Sequence, residues 1–401
     1  MAPVRDAFLW LLGSALGNPT PAPIPELTGG QWAELFSMAQ NHKVLPLVFE
    51  PAYPLVQQTE PSLAAATKRQ VLQQVIVQTL RTTEFLELYR ALTEAGIKAL
   101  VVKGIVCRQL YPKPDHRPSS DEDLWIPQEQ LSRCRQVLEA YGMTTTETNP
   151  EAWEFPYRKA GSPLYIELHT RLFPPGFSVA DSEFNDFFGT PHQHKTIQAL
   201  PGGSVQTLHP NDHMTYLLFH AYKHFLHSGF GIRQVCDILL FAHRHGELID
   251  WEWVRLSCRC IRAEKFAAAV FAIGVKHLGF APIGSWPDAD ELPLLEDVLQ
   301  AGVYGSSELS RQHSSTVTLE AVSSRKSASG GFLRAAFPSA RHLQGRYPWL
   351  KKQPYLLPIA WADRMTAYLR ETKNRSDSSL ADTLKIGRER LELLRRYDIL
   401  N

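Results

Sequence analysis

The chain has 401 residues, of which 44% are hydrophobic and 21% charged; this ordinary balance excludes wholesale disorder and gives enough apolar material for a sizeable core, in two or three domains or one large domain with appendages. Lys and Arg number 42 against 41 Asp and Glu, so the net charge is +1, which disfavours long nucleic acid as a partner. No apolar run approaches the roughly 18 residues that a membrane span needs.

In chain order, Arg5-Asp6 and the short apolar run from Phe8 to Leu12 read as the first turns of an amphipathic helix rather than a secretory segment, and the expectation is a cytoplasmic protein. Trp32, Leu35, Phe36 and Ala39 recur at helical spacing, and Pro46 opens a further short helix. From about Ser62 to Ala95 a stripe including Leu80, Phe85, Leu88 and Leu92 predicts a long helix, with Gly96 as its C-cap. The period then changes. Ile97 to Val102 is a β-branched run ended by the Lys103-Gly104 turn, Ile105 to Leu110 fits one short helix, and Tyr111 to Ser120 is a Pro-rich loop. Asp121 to Ile126 reads as a second strand, Pro127 and Gln128 open a helix through Ala140, and strands follow near Trp153 to Arg158 and Leu164 to His169. Beyond His209 the chain is helical again. Asn211 or Asp212 is the expected N-cap of a helix to about His227, with further helices at 232–245, 251–259 and 262–278. Nine serines mark 306–329 as a loop or linker closed by Gly330-Gly331, and helices are expected near 359–372 and 379–397. The five cysteines are irregularly spaced, which argues against a disulfide framework. Cys258 and Cys260 would point about 200° apart on a helix, and two buried thiols are expected there.

The densest chemistry is Asp121-x-Asp123. Residues two apart on a strand share a face, and two carboxylates on one face repel each other unless a cation neutralises them. Hard oxygen donors at this spacing suit Mg²⁺, with substrate phosphates completing the shell. A third acid on a neighbouring strand would complete a two-metal site. Glu167 is the candidate, since Tyr165, Glu167 and His169 share one face while Ile166 and Leu168 take the core side. Gly104 permits close backbone approach to a ligand, and Lys103 and Arg117 can bind a triphosphate, as a point charge and a fork respectively; alternatively both only salt-bridge the acids. His169 can orient Glu167, meet substrate or make a structural hydrogen bond. His220, His224 and His227 lie on one face of their helix. They form a substrate-facing stripe with Lys223, a packed face, or a zinc site, the last disfavoured because no His-Glu-x-x-His pattern is present.

The segments Val101-Val102-Lys103-Gly104, Leu110-Tyr111-Pro112, Arg117-Pro118 and Asp121-Glu122-Asp123-Leu124-Trp125-Ile126 together resemble the bacterial uncharacterised nucleotidyltransferase family, part of the polymerase-beta-like nucleotidyltransferase superfamily. Ile166-Glu167-Leu168-His169, the region from His220 to His224, Asp237, and the Ile249-Asp250-Trp251 segment are similar too, as are Tyr347-Pro348 and Leu356-Leu357-Pro358. The resemblance implies Asp121 and Asp123 as metal ligands, with Glu167 as third carboxylate and general base on the acceptor hydroxyl. It implies Mg²⁺, as two ions with Mn²⁺ a substitute, and an NTP, with ATP the default. The chain departs from the superfamily's Gly-Ser loop, because Gly104 is followed by Ile105. It also carries Glu where Asp is commoner as the third acid.

The expected fold is α+β, a small mixed sheet flanked by N-terminal and C-terminal helices. The expected division is a helical region at 1–96, a nucleotidyltransferase core at 97–204, a helical region at 205–305, the Ser-rich segment at 306–331 and a C-terminal helical segment at 332–401. The expected reaction is transfer of a nucleoside monophosphate from an NTP to a hydroxyl of a small molecule, sugar or peptide. The competing readings are a nucleotide- or ligand-binding protein of the same fold without turnover, and a helical interaction protein with incidental acids.

Overall fold

The structure is a computed structural model that describes residues 2–19, 24–147, 149, 152–173, 188, 195–227, 230–301, 347–351, 353–361, 363 and 389–399. Four helices open the chain: α1 (Ala2–Ala15), α2 (Gly29–Asn41), α3 (Leu45–Thr59) and α4 (Pro61–Glu94). Local chemistry sets their ends. Thr28 and Gln31 form a capping box at the start of α2, Pro46 stands in the first turn of α3, and Gly96 leaves α4 with φ +73°. α3 runs longer than the short helix expected and carries Pro51 and Pro54 inside it. Leu80, expected in the buried stripe of α4, is exposed, whereas Phe85, Leu88 and Leu92 are buried.

The middle of the chain is β1 (Leu100–Val101), α5 (Ile105–Arg108), β2 (Glu122–Trp125), α6 (Leu131–Ala140), β3 (Met143–Thr145), β4 (Glu154–Lys159), β5 (Tyr165–His169), β6 (Lys195–Leu200) and β7 (Gly203–Leu208). Five strands form a mixed sheet in the order β1-β2-β5-β4-β3, and β6 and β7 form a separate hairpin. β2 and β5 are parallel, and every other pair in the larger sheet is antiparallel. The strand expected over 97–102 contracts to two residues, and β3, β6 and β7 were not anticipated. One face of the sheet buries Leu124, Phe155, Tyr157, Ile166 and Leu168 with Phe85, Leu88 and Leu92 of α4 and Leu131, Cys134 and Leu138 of α6. The alternation expected for β5 therefore holds, with Ile166 and Leu168 inward.

The chain continues through α7 (Pro210–His227), α8 (Ile232–His245), α9 (Trp251–Cys260), α10 (Glu264–His277) and α11 (Leu292–Ala301), the last not anticipated. α7 begins at Pro210, so neither Asn211 nor Asp212 is its N-cap; the Asn211 side chain instead accepts the Asp250 N–H at 2.7 Å. These helices and α1 to α3 share a second apolar core. Cys258 is buried there, but Cys260 is exposed, because the two positions point to opposite sides of α9. The chain is also helical at 357–361 and 389–396; the remaining parts of the two expected C-terminal helices, and the Ser-rich 306–331, lie outside the described residues. The architecture is α+β with helical flanks. Among the described residues, no helix is long and apolar enough to cross a membrane.

Candidate active site

β2 and β5 lie side by side in register, so Asp123 faces Glu167 directly across the parallel pair. β4 brings Glu154 opposite His169 on the far side of β5. The carboxylates thus share the sheet face turned away from the apolar core. They line a cavity of about 250 Å³, with Lys103, Asp121, Asp123, Glu167 and His169 on the sheet side. Tyr216, His220, Lys223 and His224 of α7 and Arg233 and Gln234 of α8 line the same cavity.

Asp123 is the most enclosed of the acids. Its Oδ1 is 3.4 Å from His169 Nε2, and its Oδ2 is 3.5 Å from Lys103 Nζ. Burial alone would raise the Asp123 carboxyl, but Lys103 and His169 outweigh it and hold it well below the ordinary carboxylate range. Glu167 moves the other way. Its own burial, then the negative charges of Asp123, Asp121 and Glu154, push it up to about 8. The two facing acids are therefore split, one kept ionised and the other inclined to hold a proton. Lys103 is pulled down by burial, yet its three acidic neighbours more than compensate and keep it charged.

His169 stacks on Trp153 with ring centroids 5.5 Å apart. Its Nε2 is also 3.9 Å from Glu167 Oε2. Asp123, Glu167 and His169 each offer a donor atom, and these atoms all lie within 4.8 Å of one another. Asp123 Oδ2 makes no hydrogen bond although it is buried. A buried carboxylate oxygen that meets only the Lys103 charge and makes no hydrogen bond, inside a tight group of donors, is a fitting seat for a divalent cation. Asp121 lines the cavity but stands outside this tight group, and His169 takes part in it.

Lys103 Nζ donates to His220 Nε2 at 3.3 Å, and His220 lies 3.3 Å from His224. Burial, Lys103 and His224 keep His220 well below its ordinary range, so its ring is neutral. Lys223 Nζ lies 5.5 Å from the Trp153 ring centroid. The side chain of His227 lies outside the described residues. Lys103 itself is placed by α7 and β7, since His213 Nε2 bonds the Val102 carbonyl at 2.8 Å and the Thr207 hydroxyl donates to the Val101 carbonyl at 2.6 Å.

Two residues expected at the phosphates are occupied elsewhere. Arg117 is buried and gives a two-pronged bond to Asp237 of α8, 2.7 Å and 2.6 Å, and it does not line the cavity. Gly104 has φ +58° and is approached closely, but by Glu122: a Cβ built there would sit 1.9 Å from Glu122 Oε2. The same carboxylate accepts the Ile105 N–H at 2.6 Å and pairs with Arg108 at 2.6 Å.

The sequence reading missed Trp153, Tyr216 and Arg233. Tyr216 stands one turn before His220, so extending that helical stripe backward finds it. Arg233 had a signal too, as a charged residue in the first turn of an otherwise apolar helix segment. Trp153 precedes its strand and carried no spacing cue.

A family model described as uncharacterised nucleotidyltransferase matches residues 28–279, well over half of the chain. The match takes in the whole sheet and both helices that wall the cavity. Fold, cleft and match together define a transferase of phosphorus-containing groups. The chain belongs to the uncharacterised nucleotidyltransferase family, whose activity implies an NTP as substrate. No curated protein and no solved structure matches the chain.

Proposed function

We propose that the protein moves a nucleoside monophosphate from an NTP, ATP by default, to an acceptor hydroxyl on a small molecule, sugar or peptide, in the cytoplasm and with Mg²⁺. The observation that carries this reading is the direct pairing of Asp123 with Glu167 across parallel strands, beside Lys103 and Asp121. Asp121, Asp123 and Glu167 would hold Mg²⁺, as two ions, or Mn²⁺ in its place, with His169 among the donors beside Asp123 and Glu167. When bound, the metal would neutralise charge on the α-phosphate and on the departing pyrophosphate. Asp123 contributes a permanently ionised oxygen, because Lys103 and His169 oppose its protonation. Glu167 would take the proton of the acceptor hydroxyl only in its ionised form, which burial and the neighbouring acids oppose and a bound cation would favour. Lys103 offers positive charge where the phosphates enter, and the neutral His220 accepts its hydrogen bond.

One observation favours a second reading, a nucleotide-binding protein without turnover. The Ile105 N–H at the Lys103-Gly104 turn, a natural phosphate donor, is engaged by Glu122.

Calorimetric titration of each NTP, with and without Mg²⁺, tests the site. Wild type is expected to bind one NTP in a Mg²⁺-dependent way, and Asp121→Asn/Asp123→Asn to weaken that binding at least ~10-fold, equivalent to about 1.4 kcal/mol. Failure of every NTP to bind across the metal series would overturn the donor site. Transfer of labelled nucleotide then separates turnover from binding alone.

A further inference from the structure

Arg233 is a guanidinium with little to do in the fold as it stands. It is 4% exposed and lines the cavity, yet its Nε makes no hydrogen bond. Among the described residues its one side-chain bond runs from Nη1 to the Pro118 carbonyl. Among the described residues no carboxylate comes within ion-pair distance of it. An arginine buried this deeply, with no ion-pair contact and only the charge of Asp237 at longer range, is costly unless an anion arrives. Of the other cations nearby, Arg117 is engaged by Asp237, Lys103 by Asp123 and His220, and Lys223 lies over the Trp153 ring.

The surroundings of Arg233 favour an anion. It stands in the first turn of α8, a 14-residue helix, just after the Gly231 N-cap. The positive end of that helix therefore adds to its own charge at the cavity wall. Its backbone is braced, since the Tyr111 hydroxyl donates to the Arg233 carbonyl at 3.4 Å, and Tyr111 also bonds Asp237 at 2.8 Å. The loop that holds Tyr111, Arg117 and Pro118 thus clamps the start of α8 and holds the guanidinium in the lining of the cavity that the acids share.

We infer that Arg233 and the N-terminus of α8 form a polyphosphate-binding site on the cavity wall facing Asp121, Asp123 and Glu167. A planar fork suits this ligand, because two phosphate oxygens can be met at once. Assigning the polyphosphate as the tail of the donor nucleotide rests on the proposed function; the anion site itself rests on Arg233. In this arrangement Arg117 acts at a distance, by holding the loop and α8 together.

The test uses full-length protein and inorganic pyrophosphate and tripolyphosphate as probes, titrated calorimetrically into wild type, Arg233→Gln and Arg233→Lys, each checked for an unchanged melting temperature. Wild type is expected to bind tripolyphosphate, Arg233→Gln to lose at least tenfold in affinity, and Arg233→Lys to fall between, since charge is kept and the fork is lost. Should Arg233→Gln melt early, Arg233→Lys carries the comparison, with a drop of several-fold still expected. Tripolyphosphate binding by wild type and both variants alike, or by none of them, overturns the inference. Arg233-dependent polyphosphate binding with no NTP binding instead supports the inference and sinks the donor-site reading. NTP and tripolyphosphate binding both indifferent to Arg233 would leave the donor site standing and overturn the inference.

Discussion

Gly104 illustrates how a single residue sets the geometry beside the site. Its φ of +58° and ψ of −115° lie where a side chain is strained, and the space a Cβ would fill already holds the Glu122 carboxylate. Such backbone conformations cost about 1–3 kcal/mol for a non-glycine residue, and displacing Glu122 would unpair Arg108, which is fully buried. Gly104→Ala is therefore expected to cost about 3 kcal/mol or more in urea unfolding. Gly30→Ala, where nothing lies within 4 Å in a helix, is expected to be neutral or to gain up to about 1 kcal/mol. Equal effects at the two positions would refute the role given to Gly104. At this scale the sequence was informative about identity and less so about purpose. The need for glycine after Lys103 was legible, but the group that exploits it was not, because Glu122 alternates onto the opposite face from Asp121 and Asp123. The facing of Asp123 and Glu167 was readable from period-two alternation. The involvement of His169 in the donor group was open, since spacing shows a shared face and not a 3.4 Å contact.

Between elements, the binding constraint is the union of the 111–120 loop with α8. Asp237 accepts from Arg117 twice and from Tyr111 once, all three buried. Burial would raise the Asp237 carboxyl, but Arg117 lowers it further, so the pair is ionised. Removing one member of a buried pair strands the other charge and costs roughly 3–5 kcal/mol, whereas replacing both by apolar groups costs less. Asp237→Asn is accordingly expected to be more destabilising than Arg117→Met/Asp237→Leu, measured by denaturant unfolding of all members of the cycle. A double variant as unstable as Asp237→Asn would remove the stranded charge as the explanation. This union explains why Arg117, expected at the phosphates, is held away from the cavity. Its partner is 120 residues away in sequence, and no local pattern reports a pairing of that range. The long helices were the most legible elements, because α4 and α10 repeat their apolar spacing over many turns. The hairpin of β6 and β7 escaped notice although Pro201-Gly202-Gly203 is a turn signal, since Ile197 is exposed and the alternation in β6 is faint. β1 was overestimated because Ile97 and Ala99 before it are buried outside the strand, and past Val101 only the Val102 N–H still reaches the Asp123 carbonyl of β2.

At the scale of the whole molecule, stability and the site are coupled through protons. Two buried histidines brace the two cores: His42 of the first helical group, bonded to the Leu299 carbonyl, and His213, bonded to Val102. Burial lowers both to about 4, so the folded protein refuses a proton that the unfolded chain accepts below about 6.5. Their contribution is present above pH 6.5 and is lost as pH falls toward 4. Glu167 has the opposite sign. Its folded value is about 8, above the ordinary 4.5, so the unfolded chain releases a proton the native state retains. Its contribution is full below pH 4.5 and is lost as pH rises toward 8. The opposing slopes overlap between 4.5 and 6.5, and above 6.5 Glu167 acts against stability without them. Each is worth on the order of a few kcal/mol across its window. In chelator, urea unfolding is thus expected to show greatest stability near pH 6 and a decline to pH 8. Glu167→Gln should flatten the decline and, by removing the opposing slope between 4.5 and 6.5, steepen the loss on the acid side there, and Mg²⁺ should restore stability at pH 8 in wild type alone. A decline that persists unchanged in Glu167→Gln would assign it to another group and would detach the proton held at the sheet from the cation proposed to replace it.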